Sequence, residues 1–241
     1  MITSRLKQTR ESFLDRHADA RRWQARLFSG ATCALWTAAR PLMASTCRGL
    51  VLDAGSGRGA WKGLILESAS AYESIDLAPR GGDRPTWVGD LTDMGQVPEV
   101  RYDTVVCHQV LEHVPRPAAA ASELLRVLKP SGSLILSVPH LSRRHELPHD
   151  YFRFTPAGLT QLLADAGFTD VSVQTYGGLL AFLHHQVSFF FPGLLAGIPG
   201  LGTLAIGINA PLSWLSSRLD PFIDRGALMP LGVIATARRP S

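Results

Sequence analysis

Residues 50–54, Leu-Val-Leu-Asp-Ala, form a short apolar run that ends at an acidic residue and a glycine cluster, the pattern of a buried strand feeding a turn. The alternation then repeats. It predicts a helix over 60–69, strands over 72–76, 86–89 and 103–107, a helix over 118–128 and a strand over 133–138. Pro117 suits the first turn of the helix over 118–128, Leu124, Leu125 and Leu128 recur at helical spacing, and Lys129-Pro130-Ser131-Gly132 reads as its stop. Thr155 reads as the N-cap of a further helix, which carries Leu159, Leu162, Leu163 and Ala166 on one side and ends at Gly167. Strands over 168–174 and 231–237 complete the pattern. Strands alternating with helices argue for an α/β fold, a parallel sheet with helices on both faces.

A composition shift marks the second half. Residues 171–217 contain no Asp, Glu, Lys or Arg, and within them 189–208 has Thr203 as its one polar residue. About 20 apolar residues are enough to cross a bilayer. Two prolines and five glycines in that stretch favour instead short, broken helices in the membrane interface. The chain therefore divides into a basic helical cap over 1–47, a core over 48–176 plus 227–241, and an apolar segment over 177–226.

The net charge of +4 is an N-terminal property, because the first 48 residues carry nine basic and three acidic side chains. That balance excludes a dedicated nucleic-acid binder, which needs a dense basic face. It suits an anionic lipid surface, toward which 5–26 would add attraction. Cys33, Cys47 and Cys107 form no C-x-x-C pair, so neither a disulfide framework nor a cysteine zinc site is expected. The opening residues are charged where a secretory signal would be apolar, which places the expected location on the cytoplasmic side.

The chemistry centres on Asp53-Ala54-Gly55-Ser56-Gly57-Arg58-Gly59, set between a strand and a helix. Glycines let the backbone turn sharply and let a ligand approach, while a helix N-terminus presents free N–H groups. The loop alone also satisfies the dinucleotide pattern G-x-G-x-x-G/A, and Asp76 at the end of the second strand suits a ribose in either cofactor. Gly89-Asp90-Leu91 follows the third strand, and His108-Gln109-Val110-Leu111-Glu112-His113 follows the fourth. In these four ordered motifs the chain resembles the class I S-adenosylmethionine-dependent methyltransferases, over about 48–176 plus the last strand.

The resemblance implies a Rossmann-like seven-stranded sheet in the order 3-2-1-4-5-7-6 with strand 7 antiparallel, and S-adenosylmethionine as cofactor. By the same resemblance, Asp53 orients the glycine loop or the methionine amino group, and Gly55, Gly57 and Gly59 line the methionine and ribose. Asp76 binds the ribose, Leu77 packs under the adenine, Asp90 beside Leu91 receives the adenine amino group, and His108 borders the methionine. Leu77 and Leu91 equally fit ordinary core positions.

Methyl transfer from a sulfonium requires alignment and, for a hydroxyl acceptor, removal of a proton. The loop after the fifth strand supplies candidates: His145 or His149 as base, with Asp150, Tyr151 and Arg153 on the substrate. The alternative is that Asp150, Tyr151 and Arg153 pin the loop. Glu112 and His113 match an L-E-H segment that some quinone-type O-methyltransferases use beside a metal, which makes His113 a further candidate. Local bonding at the start of the next helix is the plainer reading, and no resident metal is expected there. A zinc site on His140, His145 and His149 is disfavoured because no further ligand cluster joins them.

The expected activity is O-methylation of a hydrophobic or lipid-linked acceptor at the inner face of the cell membrane, with a homodimer as one way to cover apolar surface. The alternatives are a membrane-attached binding module of the same fold without catalysis, and an NAD(P)-dependent oxidoreductase. The oxidoreductase lacks a Tyr-x-x-x-Lys pair.

Overall fold

The structure is a computed structural model that describes residues 19–22, 26–27, 29–80, 84–188, 201–224 and 228–241, with the side chains of 202, 203, 205 and 206 also left undescribed. Strands β1 (Leu50–Ala54), β2 (Ala71–Asp76), β3 (Trp87–Val88), β4 (Tyr102–His108), β5 (Leu128–Pro139), β6 (Thr169–Tyr176) and β7 (Gly232–Arg238) form one sheet. Its order is β3-β2-β1-β4-β5-β7-β6, as the resemblance implies. The first five strands are mutually parallel, and β7 runs antiparallel to both β5 and β6.

The near-continuous apolar strands follow from burial on both faces. Leu52, Val105, Leu134 and Leu136 point to one face, where α3 (Pro117–Val127) and α4 (Pro156–Asp165) bury Leu124, Leu159 and Leu163 against them. Val51, Val106, Ile135 and Ile234 point to the other face. There α1 (Gly30–Thr46), α2 (Lys62–Ile65) and α5 (Leu179–Ser188) contribute Met43, Ile65 and Ala181. A capping box between Ser29 and Thr32 starts α1, which is the described part of the expected N-terminal cap. Most of the basic stretch over 5–26 lies outside the described residues.

Three elements differ from the expectation. The helix expected over 60–69 reduces to the four residues of α2, since three left-handed glycines at 55, 57 and 59 hold the preceding segment in turns. The stop expected at 129–132 is the start of β5: Leu128 already pairs with Tyr102, and Lys129 Nζ bonds Asp103 at 2.8 Å. Arg239 makes this abrupt helix-to-strand change possible by donating to the carbonyls of Arg126 (2.9 Å) and Leu128 (2.6 Å).

The third difference lies in the apolar segment. Residues 189–200 are outside the described residues, but from Leu201 the chain forms α6 (Leu201–Ile223), which runs on through Pro211 and Pro221 rather than breaking. Its polarity is inverted. Asn209, Ser213, Ser216 and Asp220 are buried, whereas Leu204, Ile208, Leu212, Leu215, Leu219 and Phe222 are exposed. The buried polar groups are engaged: Asn209 Oδ1 lies 2.8 Å from His184 Nε2, and Asp220 accepts the Leu180 and Ala181 N–H groups at the start of α5. Among the described residues no helix is long and apolar enough to cross a membrane.

Candidate active site

Because β1, β2, β4 and β5 are parallel, their carboxyl ends share one edge, where open α/β sheets bind ligands. The glycine loop leaves β1 there. Gly55 and Ser56 donate to the Ile75 carbonyl, which ties the loop to β2. A side chain at Gly55 would drive its Cβ to 2.5 Å from Val110, so this glycine serves close packing against the segment after β4. Gly57, at φ +57°, is different, for nothing lies within 4 Å of where its Cβ would stand. Its N–H donates to Asp76 Oδ2 at 2.8 Å. Asp76 is buried at the end of β2, and Arg80 Nε lies 3.4 Å from its other oxygen.

Asp53 sits behind the loop with 2% of its surface exposed, accepting from the Tyr72 hydroxyl at 3.0 Å. Burial, aided by the negative charge of Asp76, pushes its carboxyl up to about 7. Leu77 is 62% exposed and available to a flat ring, while Leu91 is buried in the core with Met94 and Val97. Asp90 is exposed and accepts the Thr92 N–H at 2.8 Å.

His108 is buried, with its ring 4.6 Å from the ring of Trp61, a residue the sequence reading missed. Burial lowers its pKa to about 3, so the ring is neutral. Gln109 Nε2 donates to Ser137 Oγ at 3.3 Å, and Ser137 Oγ lies 2.9 Å from His108 Nδ1. His108 Nε2 is buried and has no hydrogen-bond partner. Gln109 also reaches the Tyr176 hydroxyl at 3.1 Å and holds φ +58°, a conformation uncommon outside glycine.

The loop after β5 brings a second group to the same edge. Arg153 bonds within the loop. Its guanidinium clamps Asp150 through two bonds of 2.6 and 2.9 Å and donates to the carbonyls of Ser142 and Arg143. Arg153 holds the Asp150 carboxyl down at about 2, and Asp150 in turn accepts the His145 N–H at 3.0 Å. Asp150 and Arg153 therefore latch the loop, the alternative weighed for them in the sequence. Tyr151 is 45% exposed, with its hydroxyl 3.0 Å from His149 Nδ1 and its N–H on the Glu112 carbonyl.

The latch carries His145 to Glu112 and His113, which form a single 3-10 turn (Leu111–His113) ahead of α3 rather than the start of that helix. Glu112 is fully buried, and neither carboxylate oxygen has a hydrogen-bond partner. His113 Nε2 and His145 Nε2 stand 3.7 and 3.8 Å from Glu112 Oε1, and their rings meet edge to face with centroids 4.7 Å apart. His140 and His149 do not join them. His140 Nδ1 bonds the Phe154 carbonyl, and His149 contributes its own carbonyl to His113 Nδ1 at 2.6 Å.

A family model described as a methyltransferase domain matches residues 34–173, well over half of the chain. The chain belongs to the methyltransferase-domain family. Among curated relatives of this methyltransferase-domain chain, the ubiquinone biosynthesis O-methyltransferase of Psychrobacter arcticus is 35% identical over 86 residues, covering 29% of this chain and 34% of that protein. A protein of Mycolicibacterium smegmatis named "Probable S-adenosylmethionine-dependent methyltransferase" is 33% identical over 144 residues, covering 52% and 54% of the two chains. The chain thus spans between a third and a little over half of the length of these relatives. Among solved structures, the [4+2]-cyclase SpnF aligns with a TM-score of 0.59 at 19% identity, over 85% of this chain and 82% of its own. A SAM-dependent methyltransferase from Archaeoglobus fulgidus aligns at 0.54 with 18% identity, over 84% and 90%. These likenesses establish the class I fold.

The residues at the edge fit S-adenosylmethionine. The open space over Gly57 admits a ligand to the backbone, the Asp76 carboxylate suits a ribose, and Asp53 and the unpartnered Nε2 of His108 offer polar groups to the two ends of an amino acid.

Proposed function

We propose that this methyltransferase-family chain moves a methyl group from S-adenosylmethionine to a hydroxyl oxygen of a hydrophobic or lipid-linked acceptor, at the inner face of the cell membrane. One observation carries the reading: the glycine loop with Asp76, and the Glu112–His113–His145 cluster, stand at the same carboxyl edge of one sheet. In this reading Asp76 accepts from the ribose hydroxyls, Leu77 lies against the adenine, and the exposed Asp90 takes the adenine amino group. Asp53 meets the methionine ammonium, and His108, in the tautomer that protonates its unpartnered Nε2, meets its carboxylate. The S–CH3 bond breaks as the O–CH3 bond forms, and the hydroxyl proton passes to the cluster, with His145 as the base. His113 is held in register by the His149 carbonyl, so His149 acts through its backbone.

The name of the Psychrobacter arcticus relative supports oxygen as the accepting atom and a hydrophobic acceptor. The exposed apolar stripe of α6 supports a lipid-facing location, because a contiguous exposed apolar stripe marks an interaction surface.

Calorimetric titration with S-adenosylmethionine tests the cofactor half, with NAD and NADP as controls. Saturable binding is expected for the wild type, with a loss of about 100-fold in Asp76→Ala and none for the dinucleotides. Turnover is then measured on hydroxylated lipid acceptors. His145→Ala is expected to bind the cofactor normally and lose about 100-fold or more in kcat. Full turnover in that variant overturns the base assignment, and binding without turnover on any acceptor favours the non-catalytic module.

A further inference from the structure

We propose that the cavity between α1, the end of β6 and α6 binds one hydrocarbon chain, the apolar tail of the methyl acceptor. The chain site stands on the cavity itself; that the chain belongs to the acceptor rests on the function proposed above.

The cavity is walled by Ala34 and Ala38 of α1, Tyr176 and Gly177 at the end of β6, and Ser217 and Pro221 of α6. Residues four apart lie on one face of a helix, so α1 and α6 each present to the gap a pair of small side chains one turn apart. Long side chains at those positions would close it. At about 30 Å3 for a group the size of a liquid water, the 360 Å3 left open holds about ten to twelve non-hydrogen atoms. That lies in the size range of small-molecule sites.

The chemistry of the walls selects the occupant. Three of the polar lining groups are committed within the protein: Thr37 Oγ1 donates to the Cys33 carbonyl at 2.9 Å, the two Asp220 oxygens accept N–H groups of α5 at 2.7 and 2.9 Å, and the Tyr176 hydroxyl accepts from Gln109 Nε2 at 3.1 Å. What remains is chiefly methyl, methylene and ring surface, which rewards an apolar chain. Thr37 and Pro221 are exposed, so the cavity opens to the surface. The residue after Pro221 is Phe222, 83% exposed, which continues the apolar surface of α6 next to that wall.

Tyr176 ties the cavity to the reacting edge. Since β5 and β6 both run antiparallel to β7, they are parallel to each other, and Tyr176 ends β6 at the same carboxyl edge as the glycine loop. Its side chain crosses β7 over Gly232, where a Cβ would collide with its hydroxyl and ring, and reaches Gln109 just after β4. One residue thus walls the cavity and touches the segment that leads into the Glu112–His113 turn. In the order β4-β5-β7-β6 the ends of β4 and β6 are three strand spacings apart, about 14 Å. An acceptor with its hydroxyl at the histidines and its tail in the cavity is therefore an elongated amphiphile that reacts at one end.

The test titrates the full chain with straight-chain alkanols from hexanol to tetradecanol, followed by displacement of a dansyl-labelled fatty acid. Affinity is expected to rise by about fourfold per added methylene and to level off at about ten to twelve non-hydrogen atoms. In Ala38→Phe the new ring takes the room of about three methylenes, so the longest alkanols are expected to lose about 50-fold and the plateau to come earlier. Ser217→Leu fills the cavity from the opposite wall and is expected to shorten the series likewise; it carries the test if Ala38→Phe does not fold, which S-adenosylmethionine titration reports. Affinity independent of chain length, or a series unchanged in both cavity variants, overturns the proposal. Loss of the series in Leu212→Glu with Leu219→Glu also overturns it, since the chain then lies on the outer stripe of α6. For the source of the chain, KM is compared between long-tailed and short-tailed hydroxylated acceptors. Ala38→Phe is expected to raise that ratio by about 50-fold; an unchanged ratio with a shortened alkanol series assigns the cavity to a membrane lipid and overturns the acceptor's claim to it. If alkanols bind as described while S-adenosylmethionine does not, the chain site stands and the methyl-transfer reading falls.

Discussion

Asp53 and His108 are both buried at the cofactor edge, and their protonation works in opposite directions. Asp53, raised to about 7 in the folded chain from 3.8, retains a proton that the unfolded chain gives up, so its contribution falls as pH rises from about 4 to 7. His108, lowered to about 3 from 6.5, does the reverse between about 3 and 6.5. The two slopes oppose each other over most of that window. Asp53→Asn is therefore expected to gain stability over the wild type progressively from pH 4 to 7 and to hold a constant gain above it. The rate is at most about 1.4 kcal/mol per pH unit, measured by denaturant unfolding at several pH values. Cofactor binding adds a second observable. Pairing with the methionine ammonium favours ionised Asp53, so binding at pH 6 releases a proton and its calorimetric enthalpy varies with the buffer's ionisation enthalpy. At pH 8 that variation disappears; its absence at pH 6 would break the assignment of Asp53 to the ammonium.

The glycine loop shows that residues of one type within a single turn have separate duties. At Gly55 an alanine meets Val110, so Gly55→Ala is expected to destabilise the fold by about 1–3 kcal/mol in thermal or denaturant unfolding. At Gly57 the Cβ meets nothing, and Gly57→Ala is expected to cost only about 1 kcal/mol from its left-handed φ while losing S-adenosylmethionine binding, because the new methyl enters the space left for the ligand. The strand-to-loop pattern and Asp76 were legible in the sequence because the signal is local, an apolar run followed by glycines. The long β5 was not, for Lys129-Pro130-Ser131-Gly132 carries every mark of a stop, while its pairing with Tyr102, the Lys129–Asp103 bond and the bonds from Arg239, more than a hundred residues away, hold it as a strand. The histidine cluster was half legible. His145 was singled out as a base, but its meeting with Glu112 depends on the Asp150–Arg153 latch, and one sequence does not tell a latching arginine from a substrate-binding one.

Over the whole molecule, α1, α5 and α6 enclose a seam of buried polar groups and turn an apolar flank outward. The Arg218 guanidinium lies 5.4 Å from the centre of the exposed Trp214 ring, a pairing suited to a headgroup layer. Co-sedimentation with vesicles containing anionic lipid is expected to capture the wild type, and Leu212→Glu with Leu219→Glu to lose most of that binding without altering cofactor affinity. If the wild type stays in solution as a monodisperse dimer, a second copy rather than lipid covers the stripe. The sheet order itself was readable through four short motifs. The inverted helix was not, because the stretch over 189–208 drew attention as one apolar block while the polar face of α6 is built mainly from residues beyond it.

The antiparallel β7 imposes an order on manufacture. It lies between β5 and β6, pairing with both, yet it is made after them and after the long excursion through α5 and α6. A ribosome therefore releases β5 with an open hydrogen-bonding edge lined by Leu134 and Leu136, and that edge stays open until residues 232–238 emerge. During this interval the nascent chain is a template for any other strand. Slow translation over the stretch encoding 177–231 is therefore expected to lower the soluble yield, measured by comparing synonymous genes that differ in codon speed there.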